Sequence, residues 1–274
     1  MFQGGIHPMM KDRIQLALGY CFGRLWEYEE VLRLAQQNGY RMLSLIRYLE
    51  EWRPSKCIIL RHDIDFKSPA TRKMLDIELK YNATASYYFR HSTMDMELMK
   101  RIESQGSEAS LHFETLATWA EMHSIDSPQK LAASTWKTDC LDILAGEIRN
   151  LRAAGFPCRT IASHGHEMNY QINAANYYLT YQDDAYSKLD IDLEAYDKSF
   201  LSELDIYIID GDRAINRGWH YGTSPQEAIA EGKQRILLLT HPHHWQYSPI
   251  RAVYNVIRAL SFGPRTVKAE FELE

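Results

Sequence analysis

The sequence predicts an α/β protein whose strands run parallel, as a barrel or as an open doubly wound sheet. Three observations point there. Seven short strand-like runs are separated mostly by helical patterns. Four helix starts share one signature, a serine followed by proline, at Ser68-Pro69, Ser127-Pro128, Ser224-Pro225 and Ser248-Pro249. The hydroxyl caps the first turn and the proline ring suits its opening position. Finally, several strands end in His or Asp, and both parallel architectures gather functional groups at the C-terminal ends of their strands. At 274 residues the chain can bury a substantial core.

Taken in order, residues 25–52 read as two helices broken near Gly39. The strand-like runs are 56–65, 83–90, 107–113, 159–166, 176–182, 204–210 and 234–241. Between them lie a helical pattern at 71–81 and a long one at 129–155, in which Leu131, Trp136, Leu144, Ile148 and Leu151 fall near helical spacing. No repeat or low-complexity linker interrupts the chain. The reading is a single domain over 1–274, with an N-terminal helical extension over about 1–55.

Composition narrows the function classes. The chain is 45% hydrophobic and 24% charged, with a formal net charge of −5. It has no basic stripe of the kind that binds nucleic acid. No run of about 18 apolar residues exists, so no transmembrane helix is expected. The first residues, "MFQGGIHPMMKDR", lack the apolar stretch of a signal peptide, and the expected compartment is the cytoplasm. The four cysteines form no CxxC pair and sit in apolar surroundings, as buried free thiols do. Seventeen Tyr and six Trp supply core packing, and aromatic platforms for sugars are a second use.

The chemistry sits where the strands stop. Of eleven His, seven lie at or just beyond strand ends: His62, His112, His164, His166, His241, His243 and His244. In "RHDID", strand alternation puts Asp63 and Asp65 on one face, roughly 6–7 Å apart at about 3.3 Å per residue. Two carboxylates at that spacing can divide labour, one binding a cation and one acting as a base. A single His after a strand is most often a hydrogen-bonded structural residue, and Asp65 also lies where it can cap a helix. Four strands ending this way together favour a metal site, because parallel strand ends converge. A cysteine-free Asp/His set suits catalytic Zn²⁺ first, with Fe²⁺, Mn²⁺, Co²⁺ and Ni²⁺ as further candidates.

In order, these motifs resemble those of the polysaccharide deacetylase superfamily, the NodB-homology proteins of carbohydrate esterase family 4, and in particular the divergent branch found with surface-polysaccharide (lipopolysaccharide, O-antigen) biosynthesis. "RHDID" is similar to the family's HDxD motif, "ASYYFR" to its aromatic second strand and "QGSEASLHFE" to its GHEIGLH-type motif. "IASHGH" resembles its His-ending strand, "IIDGDRAINRGW" its SDS…W element and "LLLTHPHHW" its closing LxHP…W motif. The resemblance spans about residues 25–245. It implies a distorted (β/α) barrel of about seven strands and metal-dependent hydrolysis of an N-acyl or O-acyl sugar. Carried over, Asp65 and His112 bind one divalent metal, Asp63 is the base and His241 the acid. The family's second motif His falls at Leu116, which cannot bind metal, so the third ligand comes from His164, with His166 as the alternative. Asp210 and Asp212 either orient His241 or contact the sugar, and Trp219 and Trp245 either stack on it or anchor loops.

The implied substrate is an acylated sugar, nucleotide-linked or lipid-linked sugar precursor. Two other readings stay open: a metal-dependent phosphoesterase, for which Arg61, Arg90 and Arg213 speak, and a non-catalytic sugar-binding barrel, for which Leu116 speaks.

Overall fold

A computed structural model describes residues 23–211, 219, 222–246, 250, 253–254, 256–257 and 261. Eight strands form one sheet: β1 (Arg41–Leu43), β2 (Cys57–Ile64), β3 (Ser86–Phe89), β4 (Glu108–Phe113), β5 (Thr160–Ser163), β6 (Leu193–Glu194), β7 (Ile206–Ile209) and β8 (Arg235–Thr240). Seven of them lie in the order β6-β5-β4-β3-β2-β8-β7, and every pair is parallel. The eighth, β1, pairs with the first half of β2, on residues 57–59, while β3 pairs with its second half, on 61–64. The sheet curls into a distorted half-barrel. Its two edges approach closely enough for Tyr196, just after β6, and Tyr207 of β7 to line one cavity.

β2 shows why the sequence folds this way. All eight of its residues are buried, as expected of a central strand covered on both faces. Ile58, Leu60 and Ile64 face outward into the core shared with the helices. Cys57 and Ile59 face inward, into a smaller core with Leu43, Tyr48, Tyr88, Ala162, Phe200 and Leu237. By the same alternation Arg61 and Asp63 point inside the barrel and His62 points outside. In β4, Leu111 and Phe113 pack outward, which turns Glu108, Ser110 and His112 inward. The hydroxyl caps form as expected at Ser68, Ser127 and Ser224, where side chains accept from Ala70, Lys130 and Glu227 N–H; Ser248 lies outside the described residues.

Three local expectations change. Residues 176–182 are not a strand: Asn176–Tyr181 is a 3₁₀ helix, and its place in the sheet goes to the two-residue β6. The stretch 25–52 holds helices Leu25–Gln37 and Leu45–Glu50, with β1 between them. Its tyrosines and leucines gave a helical pattern, but three residues after Gly39 find a sheet edge against β2. The long helical pattern at 129–155 is two helices, Pro128–Ala132 and Trp136–Ala153. The cysteines follow expectation: Cys57, Cys140 and Cys158 are buried free thiols, and Cys21 lies outside the described residues. Among the described residues no helix is long and apolar enough to cross a membrane.

Candidate functional site

The inward faces of β2, β4 and β5 carry their last residues to one place. Asp65, His112 and His164 each offer a ligand atom, and these atoms lie within 4.8 Å of one another. His112 Nε2 is 3.3 Å and His164 Nε2 3.6 Å from Asp65 Oδ1. Those separations match the edge of a coordination polyhedron with metal–ligand bonds of about 2.0–2.2 Å. Both imidazoles are aimed from behind. His112 Nδ1 donates to the Ala162 carbonyl at 3.0 Å, and His164 Nδ1 donates to Glu114 Oε2 at 2.9 Å. With Nδ1 carrying the proton, each neutral ring turns the Nε2 lone pair toward Asp65. Asp65 Oδ1 is buried yet has no hydrogen-bond partner among the described residues. A buried carboxylate oxygen costs free energy unless something pairs with it. This donor set fits a divalent cation.

The electrostatics agree. Burial alone would raise the Asp65 carboxyl, but His112, His241 and His164 hold it far below the usual carboxylate range. Glu114 is pulled down to about 2, by its bond to His164 against the effect of burial, and further by Arg90 at 3.0 Å. Both carboxylates are thus ionised at neutral pH.

Two further groups flank the cluster. Asp63 lies on the β2 side, with Oδ2 3.4 Å from His112 Nε2. The Arg61 guanidinium grips it with two bonds, Nε to Oδ1 at 2.9 Å and Nη2 to Oδ2 at 2.7 Å. Burial would raise the Asp63 carboxyl, but Arg61 outweighs it and holds the group below its ordinary value. Arg61 is itself fixed, its guanidinium 4.3 Å above the Tyr196 ring and fully buried. From the end of β8, His241 Nε2 stands 3.7 Å from Asp65 Oδ2. Its Nδ1 donates to Asp210 Oδ1 at 2.7 Å, and its backbone N–H donates to Asp210 Oδ2 at 2.8 Å. Burial would lower the His241 pKa, but Asp210 more than reverses this and pushes it up to about 9.

The remaining expected residues divide. Asp210 is buried, and its two oxygens are taken by His241 and by the Trp245 indole N–H at 2.6 Å. It orients His241 and has no room for a sugar hydroxyl. Trp245 is 1% exposed, so its ring cannot stack on a sugar; it anchors Asp210. Trp219 is half-buried, bridges to Asp210 through the backbone and packs 5.8 Å from Trp245. His166 stays out of the cluster and caps the helix Glu167–Ile172, its ring accepting from Met168 N–H. Asp212 and Arg213 lie outside the described residues. Leu116 is fully buried in the helix-side core.

Three contributors were not singled out from the sequence: Arg61 as the clamp on Asp63, Glu114 behind His164 and the Ala162 carbonyl behind His112. Glu114 had a signal, since it lies two residues beyond His112 and shares its face. The carbonyl had none, because backbone groups are silent in a sequence.

The chain matches no known protein family, and no curated protein matches it. Among solved structures it is similar to the Xyl-CE4 domain of a multidomain xylanase from the hindgut metagenome of Trinervitermes trinervoides. The identity is 16% and the TM-score 0.36, over 76% of this chain and 84% of that one.

Proposed function

We propose that the protein is a metal-dependent hydrolase that removes an N-acyl group from a sugar or sugar-linked precursor. The observation that carries this reading is the set of groups gathered around the cluster. A clamped carboxylate, Asp63, 3.4 Å from His112, and a carboxylate-backed imidazole, His241, 3.7 Å from Asp65, both border the Asp65–His112–His164 cluster. Acyl transfer to water requires such a pair, a base and an acid both within reach of the reacting group. The sequence motifs that resemble the polysaccharide deacetylases fall on these same residues.

In this reading Asp65, His112 and His164 hold one divalent ion, Zn²⁺ or a similar borderline cation. When bound, such an ion lowers the pKa of water to about 7 and polarises the acyl carbonyl. Asp63, kept ionised by Arg61, accepts the proton of the attacking water. His241, charged at neutral pH because Asp210 stands behind it, donates from Nε2 to the departing nitrogen. Amides need that donation because an amine anion leaves poorly. We further assign a role in surface-polysaccharide biosynthesis, which rests on the motif resemblance, and action in the cytoplasm on a nucleotide-linked or lipid-linked sugar.

A second reading has one observation in its favour. Asp210, His241 and His244 also lie within 4.8 Å of one another, which would suit a second metal and a phosphoesterase. Against it, the Asp210 oxygens already accept N–H bonds from His241 and Trp245. Elemental analysis separates the two, with one ion per chain expected. The catalytic assignment is tested with Asp63→Asn, which removes the base and keeps the shape. Metal content should stay while turnover of an N-acyl sugar falls about 10²–10⁴-fold. Near-normal turnover would remove Asp63 from the mechanism.

A further inference from the structure

The half-barrel is open between its edge strands, and the opening is a cavity. It has a volume of about 220 Å³ and begins at His164. Its walls are the segment after β5, with Tyr170, Tyr177 and Tyr178, and the two edges, with Tyr196 and Tyr207. Neighbouring tyrosine rings brace each other, Tyr177 to Tyr178 at 5.2 Å and Tyr177 to Tyr196 at 5.9 Å. The size is below the roughly 300–1,000 Å³ of sites for drug-sized ligands and suits one small ring.

We infer that this cavity is the subsite for the pyranose ring of the substrate. It deepens, and rests on, the reading of the site as a sugar deacylase. Two observations select a pyranose over an acyl chain. First, the wall is amphipathic. Tyrosines offer flat apolar faces edged by phenol oxygens, and a pyranose offers a C–H face rimmed by hydroxyls. Second, the buried Tyr207 hydroxyl makes no hydrogen bond of good geometry among the described residues, and its side-chain hydrogen-bonding neighbour is the Tyr196 phenol in the same wall. A ring hydroxyl can pair with it, whereas an aliphatic chain would leave it unpaired.

The amides in the wall do not compete for this role. Asn176 accepts from Ala117 N–H and donates to the His164 carbonyl and to Asn169. Asn169 accepts from His166 N–H and donates to the Ala174 carbonyl. They hold the tyrosine-bearing segment against His164. Tyr196 also stacks on Arg61, so the ring subsite shares a wall with the clamp on Asp63.

The test uses the metal-loaded full chain and NMR titration with four probes. N-acetylglucosamine, N-acetylgalactosamine and N-acetylmannosamine carry ring and acyl group, and N-methylacetamide carries the acyl group alone. Tyr178→Ala removes a half-exposed wall, and Tyr207→Phe removes only the hydroxyl. At least one pyranose should bind the native protein, and each variant should bind it about 3–10-fold more weakly with unchanged metal content. N-methylacetamide should bind all three proteins equally. If no pyranose binds, or if both variants bind and process it as the native protein does, the subsite is refuted. If the variants lose pyranose affinity although the native protein hydrolyses none of the sugars, the subsite stands and the deacylase reading falls.

Discussion

The two faces of β2 each carry a buried histidine–carboxylate meeting, and they are built oppositely. On the helix side, His62 Nε2 donates to Glu78 Oε1 at 2.7 Å, and its Nδ1 pairs with the Thr240 hydroxyl at 2.6 Å. Tyr28 donates to the same Glu78 oxygen at 2.7 Å, and Tyr87 donates to the other at 2.6 Å. Every polar atom of His62 and Glu78 has a partner, and the group ties two helices to three strands. On the barrel side, His112 and His164 stand 3.3 and 3.6 Å from an Asp65 oxygen that nothing in the described residues bonds. The chemical types are the same, and the difference is completion. A closed network stabilises and accepts nothing further. An open one, with each imidazole held from behind and its free nitrogens converging, keeps a place for a ligand.

Removing one member on each side separates these roles most sharply. On the open side, His112→Ala deletes one of three protein ligands to the proposed ion. Metal content should fall from about one per chain to near zero, and activity should go with it, while the thermal midpoint measured without metal should change little. Undiminished metal in elemental analysis would mean that His112 does not bind it. On the closed side, Glu78→Ala leaves Tyr28, Tyr87 and His62 without their acceptor. At about 1–3 kcal/mol for each buried orphan, partly relieved by relaxation, the loss of stability should be about 3–5 kcal/mol. Denaturant unfolding measures it. The surviving folded protein should bind metal normally, and a fall in metal affinity matching that of His112→Ala would erase the distinction between the faces.

The same contrast explains what the sequence could and could not reveal. Period-two alternation along "RHDID" separates Asp63 and Asp65 from His62, but it cannot tell which face is the barrel interior. The strands that end in His or Asp were legible because apolar runs stop abruptly at polar residues. Strand β6 was not, since two residues carry no period, and Asn176–Tyr181 imitated a strand through its aromatic and β-branched content. His164 and His166 share a face, so the sequence favours His164 as the ligand but keeps His166 as an alternative. The structure separates them by Glu114, which takes His164, and by the helix that uses His166 as its cap. Arg61 is a case of context: an arginine in a fully buried strand position is expensive alone, and only the adjacent Asp63 and the Tyr196 ring make it tolerable.

The smallest expected effect concerns Asp210, which lies between the two designs. It is buried and fully bonded, like Glu78, yet one of its partners is His241, which faces the open cluster. If it acts as a structural acceptor only, replacing it changes stability and leaves the pH profile alone. If it sets the charge of His241, the profile must move, and the direction follows from sign. The His241 pKa is pushed up to about 9 against burial, with Asp210 the largest opposing influence. The proposed acid works only when protonated, so kcat should fall as pH rises through that value. Asp210→Asn keeps an oxygen to accept from His241 but removes the negative charge. The alkaline limb should then shift to lower pH, toward or below the usual histidine range near 6.5, with a loss of kcat at pH 8 and much less at pH 6. The measurement is kcat against pH for both proteins on an N-acyl sugar. A limb that stays where it was would show that Asp210 braces the loop as Glu78 braces the helices, and that the charge on His241 is not what the reaction uses.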